Sequence, residues 1–349
     1  MVRIGINGLG RIGRAIFRVN ALKQYFEVVV INDINPDIDN IAYTLNYDTL
    51  YGRLESPFQS QNGCLINTQH DSIQVYHEAH IGNVDWSRHN VDYVIDASGV
   101  LDNVKHAQDL IARQNVKRVF VTHSPDDVDF TMVLGANENQ LDLEQHKIIS
   151  TSICDATALA PVLQAINTKF GIKNGYITTL HPWLNYQNLM DGPSSSWSVP
   201  GEIYHHYALG RSVDGNMIPK PTSAVEATCR VVEGINEQMI GSFSYRTPTA
   251  IVGSADITLI LGKTLTKSEL IDVFEKIESS QHFKVIHNNL EPLVSLDFLK
   301  SDYSAIVDHR WTDVVGGSMV KMVLWYDNEW GYSSRVVDQV KHVSDKECL

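Results

Sequence analysis

The chain has 349 residues, of which 43% are hydrophobic and 20% charged, with a formal net charge of −13. That length accommodates two domains, each with its own core, in an ordinary soluble globular protein. The acidic balance argues against nonspecific partnership with nucleic acid or an anionic membrane.

Val2–Asn7 is a short apolar strand that runs into a glycine turn, without the basic, apolar and small-residue regions of a signal peptide. Arg11–Leu22 has helical apolar spacing, and Phe26–Ile31 is a second strand of β-branched residues. Tyr93–Ala97 and Arg118–Thr122 are later buried strands. Strands spaced by helices predict a doubly wound parallel sheet of Rossmann type over residues 1–152. Ala156–Phe170 is one helix. Gly175–His181, Ile240–Arg246, Ala250–Leu261 and Met319–Tyr326 then predict a mixed or antiparallel sheet, with the amphipathic helix Lys267–Ser279 among them. Residues 153–332 therefore form a second, α+β catalytic domain. Leu184–Pro221 is a long loop with the composition of a functional or interface segment. Ser333–Val343 is a last helix within 333–349, expected to pack back on the first domain. No apolar run approaches the roughly 20 residues that span a bilayer.

Gly8-Leu9-Gly10-Arg11-Ile12-Gly13 fits G-x-G-x-x-G between a strand and a helix, and Asp33 follows Gly13 by 20 residues. Glycines let the backbone approach a pyrophosphate, and the helix N-terminus offers N–H donors and partial positive charge. An acid in the place of Asp33 accepts hydrogen bonds from ribose hydroxyls and repels a 2′-phosphate, which points to NAD as cofactor rather than NADP.

Cys154 stands at the start of the Ala156–Phe170 helix, where a thiol pKa falls. His181, 27 residues on, ends a predicted strand. An imidazole beside the sulfur can hold a thiolate and take the proton of a thiohemiacetal. The cysteines Cys64, Cys154, Cys229 and Cys348 show neither a disulfide framework nor metal spacing, so a cytoplasmic protein is expected, with Cys348 a surface thiol. The pair His205-His206 lacks supporting ligands, and no metal is expected.

The chain resembles the glyceraldehyde-3-phosphate dehydrogenase family and the related erythrose-4-phosphate dehydrogenases, nearly end to end. The resemblance rests on Ile6–Arg14, Asn32-Asp33, Tyr47-Asp48-Thr49, Ala97-Ser98-Gly99-Val100 and the Cys154 segment. It continues through Thr178-Thr179-Leu180-His181, Asp191-Gly192-Pro193-Ser194, Arg246-Thr247-Pro248-Thr249 and Trp325–Tyr332. It implies Cys154 as nucleophile and His181 as base acting on a small aldehyde. It implies that Gly8, Gly10, Arg11, Ile12, Gly13, Asp33, Ser98, Gly99 and Asn328 serve the cofactor, with Asn328 on the nicotinamide carboxamide. Arg246, Thr222, Arg211 and Asp155 are its counterparts of substrate-binding positions. It also implies a homotetramer.

The sequence departs from that family around the nucleophile. Ile153 and Asp155 replace flanking hydroxyls that serve the attacking phosphate, and Ser223 stands where glycine is usual. Asp155 raises the thiol pKa and repels phosphate, although an acid in the first helical turn also suits the dipole. Leu184 replaces a phosphate-binding threonine, and Ser195–Gly210 contains no arginine or lysine. Hydride transfer is thus expected to be intact and phosphate recognition thinned. Two alternatives accompany the main expectation: a hydrolytic erythrose-4-phosphate or other aldehyde dehydrogenase, and a low-activity regulatory or inhibitor-tolerant paralogue.

Overall fold

A computed structural model describes residues 1–68, 72–194 and 206–348. They form two compact units. One is Met1–Met132 with Gln140–Ser152 and Ser333–Leu349; the other is Val133–Asn139 with Ile153–Tyr332.

The first unit is built on strands β1 (Arg3–Asn7), β2 (Glu27–Asn32), β3 (Ile73–Tyr76), β4 (Tyr93–Asp96), β5 (Arg118–Val121) and β6 (Ile148–Ser150). They lie in the order β3-β2-β1-β4-β5-β6, all parallel. This is the strand order of dinucleotide-binding sheets, with the ligand crevice at the carboxyl ends where the order reverses. Runs such as Tyr93–Asp96 and Arg118–Val121 are buried throughout, as strands covered on both faces require. The sheet is not wholly parallel. Gln59–Gln61 and Cys64–Ile66 add an antiparallel edge beyond β3. Asn62 and Gly63 both take positive φ (52° and 77°), the signature of a tight hairpin turn that the sequence reading passed over. Helix α1 (Arg11–Lys23) follows β1 directly.

The second unit carries helix α2 (Cys154–Phe170) and strands β7 (Ile172–Pro182), β8 (Ile218–Lys220), β9 (Ile240–Thr247), β10 (Gly253–Leu261), β11 (Ile286–Asn289), β12 (Ala305–Asp308) and β13 (Met319–Tyr326). Their order is β8-β9-β7-β10-β13-β12-β11. Pairs β7–β9 and β11–β12 are parallel and the others antiparallel, so the sheet is mixed. Apolar alternation along β13 buries Val320, Met322, Leu324 and Tyr326 in one core with Leu159, Leu163 and Ile166 of α2. The Leu184–Pro221 segment is more than a loop: its described part contains the 3-10 turn Tyr207–Gly210 and strand β8. The final helix α3 runs from Trp330 to Glu347, longer than expected at both ends. Its Asp338 accepts from Lys23 at 2.8 Å and its Glu347 accepts from Arg118 at 2.7 Å, within the first unit.

Candidate active site and cofactor loop

In the first unit β1 ends in Asn7, whose side chain donates to Asp96 (2.8 Å) and accepts from Asn32 (2.7 Å). This buried polar network ties β1, β2 and β4 together just below the glycine turn, and the sequence reading gave Asn7 and Asp96 no role. Gly8 has φ +88°, and a Cβ there would lie 2.6 Å from the Ser98 backbone. A Cβ on Gly13 would overlap the Gly8 carbonyl oxygen, whereas at Gly10 it would meet nothing within 4 Å. The turn is therefore closed on the protein side and open at the N-terminus of α1, where an anion is favoured.

Asp33 accepts from Leu9 N–H (2.7 Å) and Asn35 N–H (2.9 Å), so its carboxylate is fixed and still offers lone pairs to hydroxyl donors. Ser98 donates to Asp96 at 2.6 Å, and Gly99 takes φ +73°, so both shape the loop after β4. Arg11 pairs with Asp48 and covers the Tyr51 ring, and Ile12 is partly buried. The cradle fits a dinucleotide pyrophosphate and ribose.

In the second unit Cys154 is the first residue of α2, two positions ahead of where the apolar pattern predicts that helix. Ile153 precedes it and cannot cap, so no side chain occupies the helix N-terminus. His181 is buried near the end of β7 and brings Nε2 to 3.5 Å from Cys154 Sγ. Its Nδ1 lies 2.9 Å from the Pro182 carbonyl oxygen. A carbonyl only accepts, so Nδ1 carries the proton and the Nε2 lone pair faces the thiol. Burial, and then Arg246, lower the His181 pKa to about 4, which makes it a neutral base at pH 7.

The thiol departs from expectation. Burial pushes the Cys154 pKa up and the Asp155 carboxylate pushes it further, against a downward pull from Arg246. A helix N-terminus would lower it, but a low dielectric and a like charge dominate here. The resting pair is a thiol and a neutral imidazole.

Asp155 is buried and accepts from the Tyr326 hydroxyl at 2.6 Å. That tyrosine, at the end of β13, was not singled out by the sequence reading. Cys154, Asp155 and His181 place one candidate ligand atom each within 4.8 Å of one another, close enough to share a proton or a small cation.

Arg246 is buried on β9 in register with His181, with Nη1 3.5 Å from the Pro182 carbonyl. Thr222 Oγ1 accepts Ala224 N–H (3.2 Å) at the head of a short helix. Arg211 is exposed and bonded to Asp191 at 2.9 Å. Asn328 Oδ1 accepts Val252 N–H at 3.1 Å, which leaves its Nδ2 as the donor side for a carboxamide. His205 lies outside the described residues.

A family profile for the glyceraldehyde 3-phosphate dehydrogenase C-terminal domain matches residues 153–328, and one for its NAD binding domain matches residues 2–104. The chain belongs to the glyceraldehyde-3-phosphate dehydrogenase family. It is 33% identical over 347 residues to glyceraldehyde-3-phosphate dehydrogenase 1 of Bacillus cereus, covering 99% of both chains. It is 34% identical over 344 residues to the Kluyveromyces lactis protein of that name, covering 99% of this chain and 100% of the relative. It is 33% identical over 349 residues to the cytosolic enzyme of Chlamydomonas reinhardtii, covering 100% of this chain and 98% of the relative. As a member of the glyceraldehyde-3-phosphate dehydrogenase family it is an NAD-dependent oxidoreductase. Among the described residues, no helix is long and apolar enough to cross a membrane.

Proposed function

We propose that the chain oxidises a small aldehyde, glyceraldehyde 3-phosphate by family weight, through a covalent bond to Cys154. The observation that carries this is the Nε2 lone pair of His181 facing Cys154 Sγ at 3.5 Å. As Sγ bonds to the carbonyl carbon, the S–H proton passes to Nε2. The new oxyanion is stabilised by Nε2–H and by backbone N–H groups at the start of α2; one such donor is worth roughly 3–4 kcal/mol. Nε2–H returns that proton to the oxyanion, which gives the thiohemiacetal hydroxyl and the neutral imidazole; in the oxidation step Nε2 takes the hydroxyl proton back while the carbon gives up its hydride. NAD, when bound, would supply the hydride acceptor; the glycine turn and Asp33 would hold its pyrophosphate and ribose, and Asn328 would donate to its carboxamide. A thioester on Cys154 remains, and phosphate or water expels the thiolate.

The second reading makes water the acceptor. It is favoured by the Asp155 carboxylate beside the sulfur, anchored by Tyr326, which repels a phosphate dianion and can receive a proton from water. NADH formation with glyceraldehyde 3-phosphate is the expected result. An acyl phosphate as product identifies phosphate as acceptor, and free acid formed in phosphate-free buffer identifies water. No NADH from glyceraldehyde 3-phosphate, erythrose 4-phosphate or glyceraldehyde refutes both and leaves the regulatory paralogue.

The enzyme is proposed to work as a cytoplasmic homotetramer. Support comes from the exposed apolar residues Leu189, Met190, Tyr207 and Met217 on the Leu184–Pro221 segment, and from the cytosolic relative. A light-scattering mass of a single chain contradicts the tetramer.

A further inference from the structure

Lys220 lies in the segment read from the sequence as loop, yet it ends strand β8 at the edge of the catalytic sheet. Register fixes what it faces. Ile218 pairs with Arg246 and Lys220 with Ser244 across β8 and β9, while Arg246 pairs with His181 and Ser244 with Thr179 across β9 and β7. Side chains two residues apart on a strand share a face, so Lys220 stands one diagonal step from Arg246, on the face that carries His181.

Among the described residues, neither cation is paired with a carboxylate, and Arg246 is bonded only through Nη1 to the Pro182 carbonyl. Arg246 is 7% exposed and its Nε has no hydrogen-bond partner. Lys220 is partly buried and, among the described residues, its ammonium has no ion pair or hydrogen bond. The charged and titratable groups that act on Lys220 are Arg246 of β9, and Asp155 and Cys154 of α2; Lys220 in turn acts on His181 of β7. Burial and then Arg246 pull the Lys220 pKa down to about 8, and Asp155 opposes them by less. At Lys220 the neighbouring Arg246 outweighs Asp155, so two cations face one another with no carboxylate between them, an arrangement that an anion would complete.

We infer that Lys220 is a specificity-determining residue of this chain, a second cation added beside Arg246 to hold a phosphate dianion. The inference rests on the dehydrogenase reading for its substrate. The dianion is either the ester phosphate of the aldehyde or the inorganic phosphate that takes the acyl group. Both present the same tetrahedral oxygens to the two cations, and a hydrogen bond to a charged group is worth about 1.5–3 kcal/mol, or roughly 10- to 150-fold.

The test compares wild type with Lys220→Met, with Lys220→Gln as a second neutral variant and Lys220→Arg as the charge-retaining control. If the ester phosphate is bound, the ratio of kcat/KM for glyceraldehyde 3-phosphate over unphosphorylated glyceraldehyde falls about 10- to 100-fold in both neutral variants and recovers in Lys220→Arg. If inorganic phosphate is bound, its KM rises by a similar factor and the aldehyde ratio stays put. In either case phosphate affinity of wild type weakens above pH 8 as Lys220 loses its proton, and the Arg variant lacks that loss. Calorimetric titration of the NAD-loaded protein with inorganic phosphate reads the site without turnover, so it still decides if no aldehyde is oxidised. Neutral variants that fold, as judged by melting, and match wild type in the aldehyde ratio, the phosphate KM and phosphate affinity overturn the inference.

Discussion

Cys154→Ser is expected to lower turnover on the order of 10⁴-fold or more while NAD binding and melting temperature stay near wild type. The reason is chemical. His181 Nε2 faces the sulfur and is a weak base, with a pKa held to about 4. It can take the proton of a thiol as the C–S bond forms, but a serine hydroxyl is far less acidic and less nucleophilic. Serine is close to cysteine in size and Cys154 lies outside the packed hydrophobic cluster, so the swap leaves the core intact. A companion measurement isolates the carboxylate. Asp155→Asn removes the second cause of the raised thiol pKa, so alkylation of Cys154 by iodoacetamide at neutral pH should become several-fold faster. Serine enzyme with near-normal turnover would falsify the covalent mechanism, and alkylation unchanged in Asp155→Asn would remove Asp155 from the electrostatics of the sulfur.

Much of this site is legible in the sequence because its residues are fixed by local rules. Gly8 is demanded by positive φ and Gly13 by close backbone approach, Gly10 leaves the mouth of the turn open, and Asp33 falls at the end of the strand after one helix, so spacing alone finds them. Cys154 is marked by the helix that follows it. What escapes is what the sheet assembles from distant segments. Tyr326 meets Asp155 across 171 residues, and nothing in either neighbourhood announces the pairing. Lys220 sits in a stretch of Pro, Ser and Gly whose strand is three residues long, too short for periodicity to register. Its significance depends on β9 lying between it and His181. The Arg211–Asp191 pair is likewise made across 20 residues of chain and is not announced by either neighbourhood.

Asp155 and Lys220 change the meaning of the departures around the nucleophile. A carboxylate beside the sulfur alone reads as a defect in a phosphate-using site. With Lys220 and Arg246 facing the same centre, the carboxylate and the cations instead divide the site electrostatically. The anionic part of a substrate is drawn toward β8 and β9, while the start of α2 disfavours a second anion. That division favours one bound phosphate over two, and so links substrate choice to the nature of the acyl acceptor.

His181→Asn is expected to slow the oxidation step by about 10²- to 10⁴-fold, the usual range for a lost general base. The slowed proton removal should raise the deuterium isotope effect on kcat for aldehyde labelled at the reacting carbon. The pH dependence follows from the direction of the shift. His181 falls from 6.5 to about 4 because burial and Arg246 disfavour its charged form. Wild-type kcat/KM should therefore keep its base well below pH 6 and lose it only toward pH 4. Stability carries the same sign. Between about pH 6.5 and 4 the unfolded chain binds a proton at this histidine that the folded chain refuses, so folding weakens as pH falls through that window. The slope from this one group is at most about 1.4 kcal/mol per pH unit, and above pH 6.5 it vanishes. Replacing the imidazole by asparagine removes that contribution, so the stability gap between variant and wild type should narrow from pH 7 to pH 5. A wild-type activity profile that collapses near pH 6.5, together with a gap that does not move, would show that His181 is not the buried neutral base this geometry requires.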